Sequence, residues 1–178
     1  VARLSLLDQT LSHLSEKGIA SALIGGFALA AHGVARATED VDLLVLDRSV
    51  LAHDFWQGWE NATEVEIRRG DLDDPLAGVV RLRRDGEVVD LVVGREAWMQ
   101  GVLDRRREVN LSSRLLPTVT RADLVLLKLF AGGPQDLLDV ELLLTAADAP
   151  GLQAEVEQRL EGRRGVLLET WQRVLLRL

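Results

Sequence analysis

Cysteine is absent from the 178 residues, which excludes a disulfide framework and a thiolate metal site. Long apolar runs are missing as well, and none approaches the ~20 residues that a bilayer crossing requires. The first residues, Val1 to Lys17, carry leucines at helical spacing but neither a basic start nor a small-residue cleavage site, so no secretory signal is evident. These absences together point to a cytoplasmic protein. Basic residues are fewer than acidic ones, 21 against 28. A net charge of -7 argues against a general nucleic-acid coat, because phosphate-driven binding needs a basic surface. Lysine is nearly lacking: Lys17 and Lys128 stand against nineteen arginines. The arginines gather at Arg68 and Arg69, within 81–84 and within 105–107, which leaves room for a local basic groove.

An apolar fraction of 47% fits a globular chain with one core, or a core plus a small helical annex. Leu4, Leu7, Leu11 and Leu14 recur at helical spacing and Gly18 suits a stop, so the spacing predicts a helix over 3–17. A buried strand over 20–24, a Gly25-Gly26 turn and a short helix over 27–32 follow. The apolar run from Val41 to Leu46 reads as a second strand, and 49–61 as a helix with Phe55, Trp56 and Trp59 for packing. Strands over 63–69, 79–84 and 87–93 come next, the last two flanking Asp85-Gly86, a strong two-residue hairpin signal. That turn sets the register and places Arg81 opposite Asp90. A helix is predicted over 95–107. From Thr120 onward the pattern is helical, with Thr120 and Asp123 as a capping pair, Pro134 as a helix start and Pro150 as a break. The expected architecture is α+β: a catalytic unit over 1–115 with a small mixed sheet covered by helices on one side, and a helical part over 116–178 packed against it.

The chemistry concentrates in 24–43, where a glycine pair, an arginine and two alternating carboxylates share one short stretch. Asp40 and Asp42 open the second strand, and side chains two apart on a strand point to the same face. Oxygen ligands so placed can grip one or two hard divalent cations. Asp90 sits inside another apolar run, 88–93, and is the candidate third carboxylate; its competing role is an ion pair with Arg81 across the hairpin. Gly25 and Gly26 would let backbone approach a phosphate without a side chain in the way, with helix amides beyond them. Arg36 suits a phosphate oxygen or a base edge, or alternatively a structural pair with Glu39 or Asp40. Thr38 suits a hydrogen bond that shapes the loop, and His32 a capping or packing role. Lys128 lies within the helical stripe of Leu124, Leu127 and Ala131, from which its ammonium either snorkels to solvent or reaches a triphosphate.

The combination Gly25-Gly26-Phe27-Ala28 with Arg36-Ala37-Thr38-Glu39-Asp40-Val41-Asp42-Leu43 resembles the DNA polymerase β-like nucleotidyltransferase superfamily. Within it, the chain looks most like the small bacterial branch that includes the nucleotidyltransferases of toxin-antitoxin pairs. The resemblance covers roughly 20–46, with further support at Asp90, Lys128-Leu129 and the pair Asp136 and Asp139. It implies Mg²⁺-dependent transfer of a nucleoside monophosphate from a triphosphate to a hydroxyl on a tRNA 3′ end, a protein or a small molecule. It implies two metal ions held by Asp40, Asp42 and Asp90, nucleotide contacts from Gly25, Gly26, Arg36, Thr38 and Lys128, and a cognate antitoxin as partner. Many relatives carry a serine where Gly26 stands, so backbone amides would do its work here. Two other classes compete: a catalytically idle binding or regulatory module on the same fold, and a glycosyltransferase with an Asp-x-Asp motif. The chain is short for the latter, and the glycine turn before the acids is the wrong context.

Overall fold

A computed structural model describes residues 5–111, 113–146 and 151–178. Helix α1 (Leu6–Glu16) starts at Ser5, whose hydroxyl accepts from the Asp8 amide while Asp8 reaches back to the Ser5 amide, a reciprocal cap that fixes the first turn. Leu6, Leu7 and Leu14 form its buried stripe, and Leu4 lies outside the described residues. Strand β1 (Ser21–Ile24) runs directly into α2 (Gly25–Ala31), so the helix begins at the glycine pair and not after it. His32 caps α2, and its Nε2 lies 2.8 Å from the Val119 carbonyl, a packing contact.

Among the described residues seven strands form one mixed sheet, which runs from β3 (Glu64–Arg69) through β4 (Leu76–Arg84), β5 (Glu87–Gly94), β2 (Asp40–Val45), β1 and β7 (Arg114–Thr118) to β6 (Arg107–Leu111). Strand β2 (Asp40–Val45) is central, antiparallel to β1 and parallel to β5 (Glu87–Gly94). Strand β4 (Leu76–Arg84) pairs antiparallel with β5 through the turn at Asp85 and Gly86, both at positive φ as a tight hairpin turn requires, and β3 (Glu64–Arg69) lies outside β4. The register places Leu82 opposite Val89 and Arg81 opposite Asp90, as the turn predicts.

Period-two alternation sorts these strands into two faces. Val41, Leu43 and Val45 align with Val89, Leu91 and Val93, and beyond them with Val80 and Leu82, in one apolar face. On the other face Leu44 is also buried, and bare Gly94 makes room there for Met99, Leu44 and Leu46. At the start of β2 the apolar cover gives way to Asp40 and Asp42.

Two stretches fold differently from the sequence expectation. The predicted helix over 49–61 is instead a pair of 3₁₀ turns, Arg48–Leu51 and His53–Trp56, separated by an extended Ala52. The Trp56 indole donates to the Val50 carbonyl at 2.8 Å and packs with Phe55, Trp59 and His13, so tertiary ring packing overrides the local preference for a regular helix. The predicted helix over 95–107 shrinks to α3 (Met99–Asp104), and the chain then forms a hairpin of β6 (Arg107–Leu111) and β7 (Arg114–Thr118). Strand β6 is an exposed edge rich in charge, as edge strands are when they avoid further pairing, and that hides its period from the sequence. Pro117 is tolerated because β7 meets β1 in register only at Leu23 and Thr118. The boundary expected at residue 115 therefore falls inside β7.

Among the described residues four further helices follow: α4 (Arg121–Ala131), α5 (Pro134–Thr145), α6 (Leu152–Leu160) and α7 (Val166–Leu175), with Pro150 outside the described residues. Thr120 caps α4 by accepting from the Asp123 amide, and Pro134 opens α5. No helix among the described residues is long and apolar enough to cross a membrane.

Candidate active site

Because β2 and β5 are parallel and in register, Asp42 sits beside Asp90, and the period of two puts Asp40 on the same face. Ile24 pairs with Asp42 on the other side, so the residue that follows it, Gly25, passes directly over the Asp42 carboxylate. Gly25 has φ +63°, and a Cβ there would lie 2.0 Å from Asp42 Oδ2. Only glycine accommodates both the backbone angle and the carboxylate. At Gly26 a Cβ would meet Thr38 Cβ and Cγ2 at 2.7 Å, so the space expected there for a phosphate is filled by Thr38. Gly26 thus seats the loop before β2 against α2, and Thr38 Oγ1 donates to the Asp40 carbonyl at 3.2 Å.

The three carboxylates have unequal company. Arg81 takes both oxygens of Asp90, Nε to Oδ1 at 2.8 Å and Nη2 to Oδ2 at 2.5 Å, and Nη2 reaches Asp40 Oδ2 at 3.4 Å. The hydrogen bond to Asp90 raises the guanidinium pKa still further above its ordinary value. The competing sequence reading of Asp90, an ion pair across the hairpin, is present in full. The Asp42 carboxylate accepts no hydrogen bond among the described residues. Burial, then repulsion by Asp90 and Asp40, push its pKa up from 3.8 to about 6, while Lys128 and Arg81 pull it down.

Lys128 and Arg36 meet at a residue whose role the sequence left open. Asp139 is fully buried on α5 and accepts from Arg36 Nη1 at 2.7 Å and from Gln135 Nε2 at 3.1 Å, with Lys128 Nζ at 2.7 Å. Lys128 also donates to Asp136 at 2.9 Å. Its ammonium therefore does not snorkel to solvent, and Arg36 pairs with neither Glu39 nor Asp40. Asp139 instead ties the loop before β2 to the C-terminal helices and holds the two cations together. The signal in the sequence was Asp136-Leu137-Leu138-Asp139 at helical spacing after Lys128, but a contact across 103 residues has no local signature.

The donor chemistry of Asp40, Asp42 and Asp90, hard anionic oxygens with one carboxylate lacking any partner, fits a divalent cation such as Mg²⁺. As placed, no three acidic or histidine side chains among the described residues converge on one ion, and the Arg81 guanidinium lies between Asp40 and Asp90. A groove of about 730 Å³ lies elsewhere, between α1 and the β6–β7 hairpin beside Leu11, Arg106 and Leu115.

Residues 3–139 match the family called Nucleotidyl transferase of unknown function (DUF2204). No curated protein matches the chain. Among solved structures, ANT(2'')-Ia in complex with adenylyl-2''-tobramycin superposes with a TM-score of 0.56 at 15% identity, covering 86% of this chain and 94% of that one. The solution structure of the antibiotic-resistance factor ANT(2'')-Ia gives 0.55 at 15%, covering 86% and 88%. An antigenic nucleotidyltransferase-like protein from Paracoccidioides brasiliensis gives 0.51 at 19%, covering 88% and 87%. At these identities the likeness is one of fold.

Proposed function

Since the chain belongs to the DUF2204 family of nucleotidyl transferases, we propose that the cleft at Asp40, Asp42 and Asp90 transfers a nucleoside monophosphate from a triphosphate to a hydroxyl acceptor. The observation that carries the reading is Asp42: a carboxylate with no partner among the described residues, flanked by two more, in a setting that makes its own charge unfavourable up to about pH 6. Such groups gather where a ligand is to complete the charge balance.

In this reading Asp40, Asp42 and Asp90 hold divalent metal, two Mg²⁺ ions by the resemblance. Bound metal supplies stabilisation of the charge that develops on the attacking oxygen, the phosphoryl oxygens and the leaving pyrophosphate. The remaining work falls to the chain. Gly25 lets the chain pass over Asp42 without a side chain striking its carboxylate. Gly26 and Thr38 set the loop, and Arg36 and Lys128, fixed by Asp139, present positive charge towards the triphosphate. Asp90 takes the proton of the attacking hydroxyl, which requires its oxygens to be released by Arg81. The acceptor is a hydroxyl on an RNA 3′ end, a protein or a small molecule. A small-molecule acceptor draws support from the fold shared with ANT(2'')-Ia, seen with adenylylated tobramycin. A place as toxin beside a cognate antitoxin rests on the resemblance at 25–43.

An idle binding module is the second reading, and the Arg81–Asp90 pair is the observation in its favour. Incubating the protein with each α-labelled triphosphate, Mg²⁺ and cell lysate separates the two. A labelled RNA, protein or small molecule that disappears with Asp42→Asn supports transfer. Triphosphate binding without any labelled product supports the module.

A further inference from the structure

Arg81 is the one cation in direct contact with the acidic cleft among the described residues, and its contacts are those of a ligand more than of a scaffold. Its guanidinium covers both oxygens of the nearly buried Asp90 and extends to Asp40, so it spans the gap between two carboxylates assigned to metal. Its other neighbour across the sheet is Glu66, in register on β3. Glu66 makes its direct contacts with Arg68 at 3.3 Å and Arg83 at 3.4 Å and acts on Arg81 only through its charge, without an ion-pair contact. Arg81 itself keeps about a quarter of its side chain exposed beside the carboxylates. A guanidinium freed from the Asp90 carboxylate finds in the paired oxygens of a phosphate a partner that matches its planar fork equally well.

We propose that Arg81 is the resident cation of the cleft and a substrate ligand in waiting: it bridges Asp40 and Asp90 until metal and triphosphate arrive together, then yields the carboxylates to the metal and moves onto the phosphates. The exchange keeps positive charge beside Asp90 at every stage, which a buried carboxylate needs. It also makes metal and triphosphate bind cooperatively, because metal alone must displace Arg81 with nothing to receive it. It releases Asp90 as a proton acceptor only once substrate is present.

This inference rests on the transfer reading of the cleft, and its test is separable from the test of that reading. Mn²⁺ is titrated without nucleotide, followed by the paramagnetic signal of the free ion, into the wild type, Arg81→Gln and Arg81→Lys, each checked for folding by circular dichroism. Arg81→Gln is expected to bind Mn²⁺ roughly tenfold or more tightly than the wild type, since it loses a unit positive charge in contact with the ligands. Arg81→Lys, which keeps the charge but loses the fork, is expected to fall between them. In the presence of Mg²⁺, the α,β-methylene analogue of the preferred triphosphate is expected to bind Arg81→Gln about tenfold more weakly, the size of a lost charge-assisted contact. Equal Mn²⁺ affinity in all three proteins, or undiminished analogue binding by Arg81→Gln, overturns the proposal. Absence of labelled product in the wild type strikes the transfer reading instead, and the nucleotide-free Mn²⁺ titration still decides whether Arg81 occupies the metal's place.

Discussion

The surroundings of Asp123 and those of Asp40, Asp42 and Asp90 treat negative charge in opposite ways within one sheet-and-helix body. Asp123, fully buried at the start of α4, accepts two bonds from Arg105 at 3.1 and 2.7 Å and one from Thr120 at 2.7 Å, with Arg159 at 2.6 Å. One negative charge there meets two positive ones. Around Asp42, three negative charges have one guanidinium in direct contact, that of Arg81 on Asp90 and Asp40, with Lys128 acting on Asp42 from farther off, and the Asp42 carboxylate itself has no hydrogen-bond donor among the described residues. The first group is paired on all sides and ties β6's approach, α4 and α6 together. The second stays short of positive charge, which costs the fold and favours a cationic ligand. Charge that is balanced inside the protein serves architecture, and charge left unbalanced serves binding.

The sharpest way to break this contrast is to exchange the consequences. Asp42→Asn is expected to lower nucleotidyl transfer by about three orders of magnitude, the scale on which single electrostatic groups at a reacting centre act, while leaving the protein folded. A labelled-triphosphate assay on the purified variant reads this directly, and activity within a few-fold of wild type removes Asp42 from the chemistry. Asp123→Ala should do the reverse. Two arginines lose their shared anion, and urea unfolding is expected to show a loss of about 3–5 kcal/mol. Triphosphate affinity of the folded protein is expected to stay near that of wild type.

Gly25→Ala is a smaller test of the same boundary. The added Cβ meets Asp42 Oδ2 and demands positive φ from alanine, so stability should fall by more than about 1 kcal/mol and transfer should fall with it. Gly26→Ala presses on Thr38 and not on the acids. Its loss is expected mainly in stability, read as a lower Tm with nucleotide affinity largely kept.

How far the molecule is legible from its sequence divides along the same line between local and distant causes. Asp40, Asp42 and Asp90 come to one face because strand period and the Asp85-Gly86 turn are local rules, and β2, β4 and β5 obey them. The family pattern at 25–43 points to the same place. The 3₁₀ turns at 48–56 are not readable in this way, since they answer to ring packing with His13 on α1. Nor is the β6–β7 hairpin, whose edge position removes the apolar alternation that marks a strand. Arg36 and Lys128 are recognisable as useful cations, but their common partner Asp139 becomes visible only when α5 folds back towards the loop before β2.

The smallest effect tests the central contrast most directly. The Asp42 pKa in the folded protein, about 6, lies above its ordinary 3.8. Between those values the folded state holds more protons than the unfolded chain, so this carboxylate lowers stability as pH rises, by nothing below pH 3.8 and in full above about pH 6. After allowance for solvent at its open end, the penalty is about 1–2 kcal/mol, or roughly 3–6 °C for a chain of this size. Melting curves of wild type and Asp42→Asn, at pH 4 and pH 8 and with or without Mg²⁺ and a triphosphate, give the measurement. Without ligand the variant is expected to melt several degrees above wild type at pH 8 and level with it at pH 4, and added ligand is expected to raise the wild type alone. A variant that melts below wild type at pH 8, or that gains the same protection from Mg²⁺ and triphosphate, would show that Asp42 is a structural aspartate like Asp123.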